Sequence, residues 1–255
     1  MRIGKVLATC LAPQLISEAL LRAEGFTDIR LVEVSPTGIG EAIGRGDADF
    51  SGSEPTNVIR AIVGGAPIFV LTGIHVGCYD LFAQQDIRRI SELKGRRAMT
   101  DNPWLSDLIA AQVGLDPATD LHWIDATAPS VNAVELFAQG KIDAYLGFPP
   151  RPQELRARGF RNVLVSTAAD RPWSQYFCCM LMGNREFVRD HPIATKRVMR
   201  AILKAADLCS SQPEHAARRL VDRGFAPRYD YALRRSTMSP TTNGATMRCG
   251  CTRPD

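Results

Sequence analysis

Residues 42–55 read Ala-Ile-Gly-Arg-Gly-Asp-Ala-Asp-Phe-Ser-Gly-Ser-Glu-Pro, and residues 136–149 repeat the pattern as Leu-Phe-Ala-Gln-Gly-Lys-Ile-Asp-Ala-Tyr-Leu-Gly-Phe-Pro. In each stretch a helical pattern stops at a glycine, an aspartate follows three residues later, and a short run leads to a proline. Because glycine readily takes the left-handed conformation that ends a helix, each stretch predicts a helix, a tight turn, a buried strand and a loop. The positions that coincide are Gly46 with Gly140, Asp49 with Asp143, and Pro55 with Pro149.

Strand-like and helix-like patterns alternate on both sides of this repeat. Residues 3–8 and 29–34 are strand-like, and the helical pattern of residues 13–24 between them stops at Gly25. The same alternation returns over residues 97–166. Alternating units of this kind predict an α/β fold with largely parallel sheets. Since ligands of open α/β sheets bind beyond the carboxyl ends of the strands, the duplication predicts two lobes that face each other across a cleft.

The composition excludes several classes of protein. Of the 255 residues, 45% are hydrophobic and 23% are charged, which is typical of a globular chain with one large domain or two small ones. The 31 basic and 27 acidic residues give a net charge of +4, and the arginine pairs are scattered, so we predict no nucleic-acid partner. No apolar run approaches the roughly 20 residues that a membrane helix needs.

Motifs for metal binding and catalysis are missing. The seven cysteines include no Cys-x-x-Cys pair and the four histidines lie far apart, so the sequence predicts no metal site. Cys178 and Cys179 lie within an apolar run, which favours two buried thiols in a strand. Neither a Walker loop nor a nucleophile elbow is present, and we predict no catalytic residue.

The two ends of the chain differ from the rest. The first residues already read as a strand, with no charged and apolar leader before a cleavage site. This predicts a cytoplasmic protein if the chain is expressed as given. Residues 236–255 lack periodicity and have few large apolar side chains, which predicts a disordered tail.

Three kinds of motif, taken together in their order and spacing, resemble the substrate-binding proteins of ABC importers of the nitrate, sulfonate and taurine type. They are the Gly-x-x-Asp units at 46–55 and 140–149, Ile-Ser-Glu-Leu-Lys-Gly-Arg-Arg at 90–97, and Gly-Leu-Asp-Pro-Ala-Thr-Asp-Leu at 114–121. That family shares its domain with enzymes that make the thiamine pyrimidine precursor. The resemblance covers roughly residues 1–225.

The resemblance implies a periplasmic-binding-protein fold of type II, in which two crossover strands join two α/β lobes. It places lobe one at residues 1–78 and 175–235 and lobe two at residues 79–174, with crossings near 77–82 and 170–176. The implied function is that of a receptor, a monomer that captures a small molecule by hinge closure and delivers it to an ABC permease in the membrane. Full-length members of the family are periplasmic or tethered to the membrane.

The predicted cleft walls are the loops that follow the strands of each lobe. Residues 9–10 precede a helix whose free N–H groups favour an anion, and residues 51–53 combine two hydroxyls with a glycine. Residues 100–102 and 147–148 take the matching places in the second lobe. The predicted ligand-binding residues are Thr9, Cys10, Gln14, Ser51, Gly52, Ser53, His75, Asn102, Trp104, Gly147 and Phe148.

Several of these residues also have a purely structural interpretation. Ser51, Ser53 and Asn102 are typical of turns and helix caps. His75 is typical of a strand end, and Trp104 is typical of a core. An unpaired carboxylate at Asp101 would repel a sulfonate or nitrate, which leaves cationic, zwitterionic and neutral heterocyclic ligands open.

Two other functions compete with the receptor. A synthase of the thiamine pyrimidine type would use cysteines, a histidine and a lysine-bound pyridoxal phosphate. Cys178, Cys179 and His75 match it only in part, and no lysine falls at a predicted strand end in the cleft. A ligand-sensing domain of a regulator has no supporting motif in the chain. The receptor needs no catalytic residue and no cofactor, so we expect no enzyme.

Overall fold

The computed structural model describes residues 1–6, 8–35, 38–126, 131–226, 228–230 and 232–233. The tail predicted at 236–255 lies outside the described residues. Within the described ranges, no helix combines the length and the apolarity that crossing a membrane requires.

Strands and helices alternate along the chain. In chain order the strands are β1 (Arg2–Lys5), β2 (Arg30–Glu33), β3 (Phe50–Ser53), β4 (Ile68–Val76), β5 (Asp80–Ala83), β6 (Arg97–Thr100), β7 (His122–Asp125), β8 (Ala144–Gly147), β9 (Val163–Ser166) and β10 (Phe177–Asn184). The helices are α1 (Ala12–Ile16), α2 (Glu18–Ala23), α3 (Ile39–Arg45), α4 (Pro55–Val63), α5 (Pro103–Gln112), α6 (Ala133–Ala138), α7 (Arg151–Ala157), α8 (Arg185–Asp190), α9 (Pro192–Ser211) and α10 (Pro213–Asp222). The helix predicted at 13–24 is divided at Ser17, where α1 ends and α2 begins.

The described strands form two sheets with the same internal order. The first sheet is β2-β1-β3-β10-β4 and the second is β7-β6-β8-β5-β9. In each sheet the second strand is parallel to both of its neighbours. The fourth strand runs antiparallel to both of its neighbours. The two α/β halves therefore have one construction, as the repeated stretch predicts.

The chain passes between the two sheets twice. The first link, residues 77–79, leads from β4 to β5, and the second link, residues 167–176, leads from β9 to β10. The predicted crossings lie at these places. The lobe boundaries drawn at 78–79 and 174–175 fall within the two links and stay predictions.

The repeated glycines and aspartates have the same structural roles in both sheets. Gly46 and Gly140 follow α3 and α6 with left-handed φ angles of 79° and 68°. Asp49 accepts the backbone N–H of Arg2 at 2.6 Å and pairs with its guanidinium, just before β3. Asp143 accepts the backbone N–H of Arg97 at 2.9 Å and pairs with its guanidinium, just before β8. Each aspartate thus anchors the start of a central strand and lies at the end of the sheet opposite the cleft.

The core of the first lobe is closed by its longest described helix, α9. Every third or fourth residue of α9 is small or apolar and buried, including Val198, Ala201, Ile202 and Ala205. This stripe lies against α1, α2 and α10. In the second lobe the core is aromatic, with Phe137 in edge-to-face contact with Phe82. Helices therefore pack against both sheets: α3, α4, α8 and α9 contact strands of the first sheet, and α5 and α6 contact strands of the second.

Removing an anchoring carboxylate should destabilise the fold. We expect Asp49→Ala to lower the free energy of unfolding by about 1–3 kcal/mol, because the backbone N–H and the guanidinium of Arg2 both lose the buried carboxylate that accepts from them. The matched control is Asp47→Ala, whose exposed carboxylate pairs with Arg45 and contributes roughly 0–1 kcal/mol. Urea unfolding measures both. Equal losses in the two variants would contradict the anchoring role.

Candidate functional site

A cavity of about 500 Å³ lies between the carboxyl ends of the strands of the two sheets. On the first-sheet side its wall comes from the residues after β1, the end of β3 and the first turns of α4. On the second-sheet side it comes from residues 101–104 after β6 and from Phe148 after β8. The first link and the start of β10 complete the wall. This volume lies within the range typical of small-molecule sites.

The structure places some of the predicted site residues on this wall and others beneath it. The ones that line the cavity are Cys10, Gly52, Ser53, Asn102, Trp104 and Phe148. The ones outside its wall are Gln14, Ser51, His75 and Gly147. The side chain of Thr9 lies outside the described part of the structure.

The residues beneath the wall have structural partners that explain their position. The Gln14 amide is buried, donates to the carbonyl of Gly4 and accepts the N–H of Gly52, so it fastens α1 to β1 and β3. The hydroxyl of Ser51 lies 3.3 Å from the same carbonyl of Gly4. His75 lies on β4, with Nε2 2.8 Å from the carbonyl oxygen of Cys10. These side chains shape the wall without reaching the cavity.

Gly147 lies within the hydrogen-bonded part of β8 and is not on the cavity wall. It pairs with Asp80 of β5 in the sheet. A Cβ at this position would lie 2.8 Å from the ring of Tyr145, so the glycine allows that ring to pack closely. The following residue, Phe148, is the one that reaches the wall.

Asp101 is paired, contrary to the expectation that its carboxylate would face a ligand alone. It forms an ion pair with Arg151 and accepts hydrogen bonds from Tyr145 Oη at 2.8 Å and from the backbone N–H of Phe148 at 3.0 Å. Burial raises the pKa of Asp101 to about 6, and the neighbouring guanidinium offsets part of that rise. At neutral pH the pair is an internal salt bridge, so Asp101 adds no uncompensated charge to the cavity.

Sequence reasoning missed a hydrogen-bonded group that joins the two lobes. Oε2 of Glu54 accepts the hydroxyl of Tyr79 at 2.6 Å and the side-chain amide of Asn102 at 2.6 Å. The other end of that amide accepts the backbone N–H of Leu105 and caps α5. Glu54 belongs to the loop after β3 and Asn102 to the loop after β6, so these bonds span the cleft.

The repeated stretch could have indicated that Glu54 lines the site. At the offset that matches Gly46 with Gly140, Glu54 coincides with Phe148, which sequence reasoning did select. Both line the cavity. Burial raises the pKa of Glu54, and it raises the pKa of Tyr79 well above the ordinary value.

A second cavity of about 330 Å³ lies on the other side of the Glu54, Tyr79 and Asn102 group. Its wall is almost wholly apolar. The main contributors are Ile59, Leu105, Leu108, Trp173, Tyr176 and Phe177. Glu54 therefore lies between the first cavity, whose wall is partly polar, and the second cavity, whose wall is almost wholly apolar.

Cys78 and Cys178 form a disulfide that joins the first link to β10 and lines the cavity. The prediction that Cys178 is a buried thiol is therefore wrong, whereas Cys179 is a buried strand thiol as predicted. The pairing of β10 with β4 is irregular between Phe177 and Cys179, which leaves Cys178 next to the end of β4 and the link that follows it.

The disulfide belongs to a cluster of potential metal ligands. Atoms of His75, Cys78, Cys178 and Cys179 lie within 4.8 Å of one another. The thiolate is the form of cysteine that binds metals, so the two disulfide sulfurs are not ligands while they are bonded to each other. Spacing in the sequence did not show this cluster, and the absence of a metal site stays a prediction.

Two α/β lobes with a cavity between their strand ends define the class of the molecule, a periplasmic-binding-protein fold. The structure is similar to the periplasmic aliphatic sulphonate binding protein SsuA of Escherichia coli, with a TM-score of 0.77, 18% identity, and coverage of 94% of this chain and 79% of that one. It is also similar to the alkanesulfonate-binding protein SsuA of Xanthomonas axonopodis pv. citri bound to MOPS, with a TM-score of 0.72, 22% identity and coverage of 94% and 84%. The nitrate-binding protein NrtA of Synechocystis PCC 6803 gives a TM-score of 0.71, 16% identity and coverage of 92% and 69%.

The family follows from the sequence itself. The chain belongs to the NMT1/THI5-like family, whose model matches residues 22–216. No curated protein sequence matches the chain significantly. The predicted fold, two α/β lobes of the periplasmic-binding-protein type, is confirmed by these matches.

Removing the disulfide should cost stability. We expect Cys78→Ala combined with Cys178→Ala to lower the free energy of unfolding by about 2–5 kcal/mol, because the bond closes a long loop of the unfolded chain. A reducing agent should destabilise the wild type similarly and leave the double variant unchanged. Cys209→Ala, which removes a buried thiol outside the disulfide, serves as the control. Urea unfolding with and without reductant measures the effect, and a wild type that is indifferent to reductant would contradict it.

The pKa of Asp101 predicts a pH dependence of stability. Because the pKa rises from 3.8 to about 6 on folding, the carboxyl contributes stability that is fully present below pH 3.8 and is lost as the pH rises through about 6. The free energy of unfolding of the wild type should therefore fall relative to that of Asp101→Asn between these two pH values. Urea titrations at stepped pH measure the difference, and a difference that rises with pH would refute the prediction.

Proposed function

We propose that the protein is a solute-binding receptor that captures a small molecule between its two lobes and delivers it to an ABC permease. The observation that carries the proposal is the cavity between the strand ends of two similar lobes, whose wall includes residues of both. Membership in the NMT1/THI5-like family and the fold shared with sulfonate- and nitrate-binding proteins support it. The receptor works by closing on its ligand and needs no catalytic group, so we also propose that it is not an enzyme.

Closure would use contacts that the structure already contains. The Glu54–Asn102 hydrogen bond connects the two lobes across the cleft, and the rings of Tyr79 and Phe148 lie 5.9 Å apart beside it. A ligand that contacts both walls stabilises the closed form by its differential affinity for that form. The two links, residues 77–79 and 167–176, would take up the change in backbone angles.

The location and assembly of the receptor follow from the same proposal. A disulfide persists in oxidising compartments, and Cys78–Cys178 therefore supports a position outside the cytoplasm, in contact with the permease. We propose that the receptor acts there as a monomer, as the resemblance implies.

The synthase alternative has less support. The cluster of His75, Cys78, Cys178 and Cys179 is the feature that would favour it. Two of the sulfurs are consumed in the disulfide, and among the described residues no lysine lines either cavity to carry pyridoxal phosphate. The receptor explains the cavity without such a reagent.

A ligand panel tests the proposal. Alkanesulfonates, nitrate, bicarbonate, aromatic acids, pyrimidines and small amines are compared by thermal shift, and each compound that binds is examined by small-angle X-ray scattering. A tight ligand at 100 times its Kd should add about 2.7 kcal/mol of stability and decrease the radius of gyration. Binding without any decrease would count against hinge closure, and a pyridoxal absorbance band in the purified protein would favour the synthase.

Removing the aromatic wall of the second lobe should weaken binding. We expect Phe148→Ala to reduce the affinity for the strongest ligand of the panel about tenfold or more, because a ring at the cavity wall is lost. Phe69→Ala is the matched control, since Phe69 lies exposed on β4 outside the cavity wall. Isothermal titration calorimetry measures both affinities, and an equal effect of the two substitutions would argue against this cavity as the site.

A further inference from the structure

The charges of the side chains that line the larger cavity do not cancel where a ligand would be enclosed. Those that the structure describes on its wall are Glu54, Arg60, Asp101, Asp125 and Arg151. Asp101 and Arg151 neutralise each other. Arg60 and Asp125 are exposed and lie on α4 and at the end of β7, where water screens them. Glu54 is therefore the charge that an enclosed ligand would meet.

Glu54 has hydrogen-bond donors but no cation among its described partners. The donors are the hydroxyl of Tyr79, the amide of Asn102 and the hydroxyl of Thr56, all of them neutral. Such donors hold the carboxylate in place without cancelling its charge. Burial raises the pKa of Glu54, as expected for an acid whose charge is not compensated.

The surroundings of this carboxylate would suit a positively charged group. The rings of Tyr79 and Phe148 lie beside it, and the faces of aromatic rings attract cations. The guanidinium of Arg151 lies 6.0 Å from the Phe148 ring, but its charge is paired with Asp101. An anion at the same place would face the Glu54 carboxylate, and the two like charges would repel each other.

We propose that Glu54 makes this cavity selective for a ligand that carries a positively charged nitrogen on a small apolar or aromatic body. The inference rests on the proposed receptor function and names the chemical class of its solute. The nitrogen would donate to the Glu54 carboxylate in a charge-assisted hydrogen bond. The body of the ligand would lie against the apolar part of the wall, to which Leu11 and Ile39 contribute.

Three probes of similar shape and different charge test the proposal. Benzylamine is protonated at pH 7, benzyl alcohol is neutral, and benzenesulfonate is an anion. We expect the wild type to bind benzylamine at least tenfold more tightly than the other two, as measured by isothermal titration calorimetry. Glu54→Gln, which keeps the size of the side chain and one acceptor oxygen but removes the charge, should reduce this preference to nearly equal affinities.

Two further variants separate charge from structure. Glu41→Gln removes an exposed carboxylate on α3, outside the cavity wall, and should keep the wild-type order of affinities. Glu54→Asp keeps the charge one methylene further back and should keep a weaker preference for benzylamine. If Glu54 were only a clamp between the lobes, Glu54→Gln would change the affinities for all three probes by the same factor, which would overturn the proposal.

The outcomes also distinguish this inference from the receptor function. Tightest binding of benzenesulfonate, a preference for benzylamine that survives in Glu54→Gln, or no binding of any probe to the wild type would overturn the charge selectivity. An alkanesulfonate that decreases the radius of gyration would still support the receptor in those cases. Benzylamine binding that depends on Glu54 but leaves the radius of gyration unchanged would uphold the selectivity and overturn hinge closure.

Discussion

In each lobe a single aspartate carboxylate accepts the backbone N–H of the first residue in the second strand of the sheet, Asp49 for Arg2 in β1 and Asp143 for Arg97 in β6. These bonds hold the amino ends of β1 and β6 against the residues that lead into β3 and β8. The two strands of each pair run in the same direction, so their carboxyl ends lie together at the opposite end of the sheet. The loops that follow these ends in both lobes meet around the cavity. The site therefore lies at the end of each sheet opposite these two bonds.

The fold could be predicted from the sequence because its determinants are local and repeated. Gly46 follows the end of α3 and Gly140 follows the end of α6. The apolar runs after Asp49 and Asp143 form strands in both lobes. The division at Ser17 could not be predicted, because the apolar face continues through it. At this point the hydroxyl of Ser17 donates to the carbonyl of Gln14, and the buried amide of Gln14 ties α1 to β1 and β3.

The candidate site could be predicted only in part, because its polar contacts join residues far apart in the chain. Cys10 and Phe148 follow strands and Ser53 ends one, so these residues could be selected from their position alone. The ion pair of Asp101 with Arg151 spans 50 residues and the bond of Glu54 to Asn102 spans 48, so no spacing rule indicates them. Asp101 was expected to supply the negative charge in the cavity, but its carboxylate is paired with Arg151. Glu54 is the acid on the cavity wall that has neutral donors as its described partners. At identities of 16–22%, the similarity to the sulfonate- and nitrate-binding proteins shows a shared fold.

The disulfide between Cys78 and Cys178 also limits where the backbone can bend between the two sheets. It joins the residues just after β4 to the start of β10, two strands that already pair with each other in the first sheet. Any change in the angle between the two sheets would therefore have to arise beyond this bond, in the residues that lead into β5 and in those that follow β9.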